Sequence, residues 1–325
     1  MTSTPIPETT LPEMIYETLY SPLVIFYIVA IAIIIVLGLT GNGFVIWIAG
    51  FKVRKSVINI WYLSLAVSDF LFCSSLFFNV LCMITNTWFT ERYLYRLFSF
   101  IASLNLYCSI FLLTIISVDR CVIVMFPIWA QNQRTVKKAS MIVVLAWFIS
   151  AIFSVPALII HEAYETLSSE DFGEINSAAI SIYEFIFIFV IPFLIMIACC
   201  VIIIRKLKTM QMVESKKPLK IMTALSATFL ITWLPYHIFT LMDINSEENE
   251  FLQIMSAVVA ILASANSCLN PFLYAFMGKD IKKQCYTILS KIENAMEEED
   301  NQNIARGTNL THGQSQHTTT ISSVL

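Results

Sequence analysis

Long, nearly charge-free runs parted by short polar and basic segments set the pattern of this chain: residues 19–51, 56–90, 97–118, 139–160, 175–204, 221–242 and 251–278. Asp69 is the one charge in the second run and Glu184 the one in the fifth. About 20 consecutive apolar residues cross a bilayer's hydrocarbon core, so each run predicts one spanning helix. The connections leave no room for a second folded domain, and the alternating strands of about ten residues that build an outer-membrane barrel are absent. The expected fold is all-α, a seven-transmembrane helical bundle over 21–278. A polar tail (1–20) precedes it, and a short amphipathic surface helix (279–292) and a polar tail (293–325) follow.

The third run holds Ser99, Ser103, Asn105, Ser109, Thr114 and Ser117 and ends on Asp119, Arg120 and Cys121. Small polar groups facing lipid cost free energy unless neighbouring helices satisfy them. The third helix is therefore expected to stand among the others as a central post. Asp119 and Arg120, taken alone, also read as interfacial charges snorkelling toward head groups.

Composition agrees with the pattern: 57% hydrophobic, 13% charged and a mean hydropathy of +0.74 are too apolar for a soluble domain. Charge then orients the bundle. Lys52, Arg54 and Lys55 fill the first connection; Arg134, Lys137 and Lys138 lie in the third; Arg205, Lys206, Lys208, Lys216, Lys217 and Lys220 lie in the fifth. The other side has only Arg92 and Arg96. Cytoplasmic connections hold the excess of Lys and Arg, which predicts a multi-pass plasma-membrane protein with an extracellular N-terminus. No cleavable signal is visible before Tyr20, so the first span is expected to serve as an uncleaved anchor. The outer connections are acidic, with Glu91, Glu162, Glu165, Glu170, Asp171 and Glu247 among others. Such a field steers a cationic partner, though the same residues also read as an ordinary solvated surface. Of the 8 cysteines, only Cys82 stands at the outer rim; no disulfide framework or metal spacing can be drawn from them. Cys285 reads either as a palmitoylation site or as a plain thiol.

Asp69 puts a carboxylate near mid-membrane with no basic residue at its depth. Asn105 and Ser109 are one turn apart on the third helix, and Asn266 and Asn270 one turn apart on the seventh. A carboxylate among neutral oxygens suits a small hard cation, a protonated Asp, or a purely structural hydrogen-bond cluster. Pro156, Pro192, Pro235 and Pro271 lie inside four spans, where proline removes a backbone bond and invites a hinge. The hydroxyls of the last residues, among them Ser315, Thr318 and Ser322, are candidate phosphorylation sites.

Asn42, Leu65 with Asp69, Asp119-Arg120-Cys121, Trp147, Pro192, Trp233 with Pro235, and Asn270-Pro271 with Tyr274 occur in order, one set per span. In this the chain resembles the rhodopsin-like (class A) G-protein-coupled receptors over about residues 20–292. The stretch from Ser117 through Pro127-Ile128-Trp129 to Thr135, together with Pro235-Tyr236-His237 and Ala265 to Pro271, is similar to the chemoattractant branch, the chemerin-receptor-like and formyl-peptide-receptor-like proteins.

The resemblance implies a receptor for an extracellular peptide or small protein. Such a receptor would signal through heterotrimeric G proteins of the inhibitory class, with arrestin and a receptor kinase as further partners, membrane lipid around it and no nucleic acid. Arg120, held by Asp119 at rest, would swing to the G protein as the sixth helix moves about Pro235. Trp233 would floor the pocket, and Asn270, Pro271 and Tyr274 would complete the switch. Asp69, Asn105, Ser109, Asn266 and Asn270 would hold an allosteric sodium ion; no other cofactor is implied. Ser103, Tyr183, Glu184, Tyr236 and His237 are the expected pocket residues.

Departures from the family pattern bear on this. Tyr95 stands where a disulfide cysteine is expected, and residues 161–177 contain no partner for one. Cys200 replaces an inner fifth-helix tyrosine, and Thr232 the cysteine before the sixth-helix motif. Glu184 stands where formyl-peptide receptors carry basic residues, so N-formyl peptides are not the expected ligands. A decoy or scavenger of the same fold, or a lipid-mediator receptor, is the alternative. A transporter would be expected to show an internal repeat. An enzyme would need a nucleophile–base set, which no motif here supplies.

Overall fold

The computed structural model describes residues 21–52, 55–85, 92–166, 181–209, 216–243, 250–277 and 287. The chain divides into two units, Met1–Gly278 and Lys279–Leu325, and the helices below belong to the first. Apart from Thr287, the expected surface helix with Cys285 and both polar tails lie outside the described residues.

Each charge-poor run becomes a helix long and apolar enough to cross a membrane: Pro22–Lys52, Val57–Thr85, Arg96–Met125, Val136–Val155, Ser181–Lys206, Thr223–Met242 and Glu250–Leu273. Several helices outrun their apolar stretches. The third extends over Arg92–Met125 and the fourth over Val136–Thr166, because helical hydrogen bonding continues past the hydrocarbon boundary wherever no breaker intervenes. Polar, membrane-buried backbone has no other way to pair, so the spans are helical along nearly their whole length.

The third span packs against the second, fourth, fifth and sixth, while the ring closes where the seventh meets the sixth and first. It is the central post its serines and Asn105 predicted. Ser109 and Ser117 are buried in it. The outward faces carry apolar residues in rows, such as Ile25, Phe26, Val29, Ile33 and Val36 on the first span, as a bilayer-facing surface requires.

Small residues bring helices close. A Cβ on Gly38 would stand 2.2 Å from Cys73 Sγ, and one on Gly41 would stand 3.1 Å from the ring of Pro271. Next to Gly41, Asn42 donates from Nδ2 to the carbonyls of Gly38 (3.0 Å) and Ser267 (2.8 Å), which ties the first span to the seventh. Cys82 is buried inside the second span.

The prolines behave differently from one another. Pro235 and Pro271 sit inside continuous helices. Ahead of Pro192, which has no N–H to give, Glu184–Val190 forms a π-helical turn, and the Ile191 N–H reaches back to the Ile186 carbonyl. The widened turn changes which face of the fifth span Glu184 and Phe185 occupy. The sequence did not announce a further element, the short helix Pro127–Gln133, which begins on a proline suited to the first helical position.

Candidate functional site

Three groups of polar or aromatic side chains lie inside the bundle. At mid-depth, Asp69 is fully buried. Asn105 donates from Nδ2 to Asp69 Oδ1 (3.1 Å) and to Ser68 Oγ (3.1 Å), and Asn270 donates to Asp69 Oδ2 (2.8 Å). Ser267 Oγ donates to Asn105 Oδ1 (3.2 Å). The second, third and seventh spans are thus joined through one carboxylate. Of the expected set, Asp69, Asn105 and Asn270 are in direct contact. Ser109 Oγ is buried without a partner, and Asn266 lies toward the sixth span, its Oδ1 accepting from Thr232 Oγ1 (3.5 Å) and its Nδ2 unpartnered. Ser68 and Ser267 belong to the network but had not stood out in the sequence, where serines are too frequent in the spans to be singled out.

At the end of the bundle that holds Lys52, Lys137 and Lys138, hereafter the basic end, Asp119 meets two guanidiniums. Arg120 approaches to 3.1 Å. Arg134 is closer and bidentate, with Nε at 2.7 Å from Oδ1 and Nη2 at 3.0 Å from Oδ2. The expected pair is therefore a triad, and Arg134, read from the sequence only as a loop cation, makes its shorter contacts. The short helix Pro127–Gln133 turns the chain back so that Arg134 reaches Asp119. Arg120 Nε and Nη2 have no hydrogen-bond acceptor and are buried, so its guanidinium is not saturated. Nearby, Cys200 joins Ile203, Cys121 and Val124 in an apolar patch where a tyrosine hydroxyl had been expected.

Toward the other end, Trp233, Tyr236 and His237 form an aromatic box with Phe185, Phe189 and Phe229. His237 stands 4.9 Å from the Phe189 ring and 6.4 Å from that of Trp233, and Trp233 meets Phe229 at 6.0 Å. His237 is only 1% exposed and its Nε2 lacks a partner, as does the Trp233 indole N–H. Beside the box, the Tyr107 hydroxyl donates to Glu184 Oε1, a tie between the third and fifth spans. Tyr107 escaped notice in the sequence because it sits in an apolar run as one aromatic among many. Ser103 is half-buried one turn before it. Tyr183, at 38% exposed, stacks on Phe187 (5.0 Å) and stands 6.4 Å from Phe153, whose ring also meets Tyr107 at 6.2 Å. The Tyr274 side chain lies outside the described residues.

The structure supplies a further tie: Trp147 Nε1 donates to Ser64 Oγ at 2.8 Å, fastening the fourth span to the second. Among the described residues no cluster of His, Cys, Asp and Glu with transition-metal spacing occurs.

A single carboxylate bridges three spans at mid-membrane, with an aromatic box beyond it and an arginine-bound carboxylate at the far end, in a bundle of seven helices long and apolar enough to cross a membrane. The profile of the family described as 7 transmembrane receptor (rhodopsin family) matches residues 41–274, and the chain belongs to that family. It is a G-protein-coupled receptor and not an enzyme. It is 34% identical over 307 residues to chemerin-like receptor 1 of Homo sapiens, which covers 85% of this chain and 81% of that one. It is 33% identical over 298 residues to formyl peptide receptor-related sequence 4 of Mus musculus (85% of this chain, 92% of that one). It is also 33% identical over 304 residues to the C3a anaphylatoxin chemotactic receptor of Oncorhynchus mykiss (89% and 82%).

Proposed function

We propose that this chain is a plasma-membrane receptor for a chemoattractant-type peptide or small protein that approaches from outside, with a basic group on the ligand read by Glu184. The observation that carries this reading is the Tyr107–Glu184 pair. It presents a carboxylate, oriented by a phenol, beside an aromatic box that contains an unpartnered His237. A half-buried acid flanked by apolar rings favours a Lys or Arg side chain with an apolar neighbour. The names of the relatives, which include chemerin-like, formyl peptide and C3a anaphylatoxin chemotactic receptors, support a ligand of this general kind. The basic connections support a cytoplasmic face at the Arg120 end, where an inhibitory-class G protein, a receptor kinase and arrestin would act.

In this reading the ligand shifts a two-state bundle, and its effect equals its differential affinity for the two states. Trp233 belongs to the aromatic box and Pro235 lies among the box residues of the sixth span, whose helix runs on to the basic end, so a displacement of the box would move that end about Pro235. Release of Asp119 from Arg120 and Arg134 would free Arg120 for the G protein. Asn270, Pro271 and Tyr274 would follow on the seventh span.

A sodium ion fits the mid-depth network. Asp69 has no cationic partner among the described residues, and the hydroxyl of Ser109, one turn from Asn105, is buried and unpartnered. Asp69, Asn105, Ser109 and Asn270 would hold it, with Asn266 bordering the site, and the ion would supply the positive charge that the carboxylate lacks. Raising NaCl against choline chloride should raise the unfolding temperature of the purified receptor, and Asp69→Asn should abolish that difference. An equal response in that variant would remove sodium from the scheme.

The decisive test is a panel of basic chemoattractant peptides read by inhibition of cAMP formation, repeated with Glu184→Gln and Arg120→Ala. Glu184→Gln should weaken the potency of the active peptide, and Arg120→Ala should abolish the response while leaving binding. A full response in Arg120→Ala would count against the coupling role. A second reading, a decoy, is favoured by the apolar Cys200 patch at the basic end. Ligand-driven internalisation without nucleotide exchange would select it. Potency toward an apolar lipid mediator unaffected by Glu184→Gln would select a lipid-mediator receptor.

A further inference from the structure

Apart from the groups described above, one cavity of about 350 Å³ opens at the basic end, between the second, third and fourth spans and the short helix Pro127–Gln133. Its size falls at the lower end of small-molecule pockets, roughly 300–1,000 Å³. The walls are apolar, with Trp61, Ile115, Val118, Trp129, Ala139 and Ile142 among them. Val118, Trp129 and Ile142 are themselves exposed, so the cavity opens on the surface the spans turn toward the bilayer. What enters it comes from the lipid phase.

Its charged lining selects among lipids. Arg134 and Lys138 contribute two cations against the single carboxylate of Asp119. The Lys138 ammonium meets only the amide oxygen of Gln133, at 2.6 Å, and no carboxylate among the described residues. Arg134 engages Asp119 through Nε and Nη2, which leaves further guanidinium N–H donors uncommitted. Trp61, on the wall, carries a buried indole N–H without an acceptor. A neutral sterol would leave the Lys138 charge uncompensated. An apolar chain that ends in an anion satisfies both the walls and the cations.

We propose that this cavity holds one acyl chain of an anionic amphiphile, its carboxylate or phosphate head lying against Lys138 and Arg134. The head would share Arg134 with Asp119, so occupancy and the Asp119 triad are linked. The proposal stands without the signalling reading, because it concerns binding alone.

The full chain, reconstituted in nanodiscs of phosphatidylcholine, can be exposed to three photoreactive probes with a diazirine in the chain: an oleate, the matching oleyl alcohol and a phosphatidic acid. Labelled positions are then mapped by mass spectrometry. The acid probes should label the third and fourth spans beside Ile115 and Ile142, and the alcohol should label them only at the background of bulk lipid. Labelling by oleate alone identifies a free fatty acid as the source, and labelling by phosphatidic acid alone identifies a phospholipid; either supports the site. Ala139→Trp, which fills the cavity, and Lys138→Glu, which reverses an exposed charge, should each lower acid labelling about tenfold, the effect of losing one charge-assisted contact or the chain's space. Lys138 is on the surface, so that variant remains informative if Ala139→Trp fails to fold. Equal labelling by acid and alcohol, displacement of the acid by cholesterol at equal mole fraction, or undiminished labelling in Lys138→Glu would overturn the proposal.

Discussion

Asp69 and Asp119 are the same side chain about 50 positions apart, both inside one helical bundle, and they are held by opposite means. Asp69, with no exposed surface, is met by the amides of Asn105 and Asn270 and by no cation among the described residues. Asp119, at 11% side-chain exposure, is met by two guanidiniums. Depth accounts for the difference. A guanidinium at mid-membrane would itself need desolvating, so neutral dipoles are the cheaper partners there, whereas near the interface Arg can keep its outer face wet. The first arrangement fastens three spans together without fixing the charge of the carboxylate. The second is a strong ionic clasp whose parts can separate into water, which suits an element that must open.

Removing the clasp's centre should have the largest effect. Asp119→Ala leaves two partly buried guanidiniums without a carboxylate, and a loss of about 3 kcal/mol in unfolding free energy is expected, the low end for breaking a buried pair. Unfolding in detergent micelles measures it. Because Arg134 makes the shorter and bidentate contact, Arg134→Ala should destabilise more than Arg120→Ala. The reverse order would return Arg134 to the status of a loop cation.

Asn105 is the corresponding centre of the neutral network. It donates to Ser68 and Asp69 and accepts from Ser267, so Asn105→Ala removes a partner from three buried groups at once. A loss of about 2 kcal/mol is expected, less than at Asp119 because the freed hydroxyls can turn to one another. A greater loss at Asn105 than at Asp119 would invert the contrast between the two regions.

How much of this could be read beforehand differs between the same two regions. The Asp69 partners were legible in part: an acid without a base at its depth needs neutral partners, and of the four offered at helical spacing, Asn105, Ser109, Asn266 and Asn270, the structure sets Asn105 and Asn270 against it. The Arg134 contact was not, since it depends on a seven-residue helix that folds the connection back, and nothing in Pro127–Gln133 distinguishes a turn from a helix beyond its first proline. The seven spans were legible from apolar length alone, but which face of each turns inward was not. In lipid the outward faces are as apolar as the core, so the periodic signal that orients a helix in water is absent. Tyr107 and its bond to Glu184 were hidden for that reason, as was the π-helical turn that sets the face on which Glu184 lies.

Helix approach near the neutral network provides a smaller test. Gly38→Ala would bring a methyl group to 2.2 Å from Cys73 Sγ and 3.2 Å from its Cβ, with the helix backbone on one side and a short side chain on the other. Overpacking of this kind is worth about 1–2 kcal/mol. The double variant Gly38→Ala, Cys73→Ala should recover most of that loss, because the sulfur is the atom that clashes. Failure of the second substitution to rescue would place the strain in the first span's own backbone.

The smallest effect is expected where a single neutral bond joins two spans. Trp147→Phe keeps an aromatic ring but loses part of the indole together with the N–H that donates to Ser64 Oγ at 2.8 Å, and a double-mutant cycle cancels the lost packing. Hydrogen bonds between spans average about 0.6 kcal/mol by double-mutant cycles, because the unassembled helices also find partners. A cycle of Trp147→Phe with Ser64→Ala should therefore give a coupling energy of that order, well below the effect of Asn105→Ala. A coupling as large as the loss at Asn105 would mean that bonds between spans carry similar weight wherever they fall. The depth and multiplicity that separate Asp69's network from its surroundings would then explain nothing.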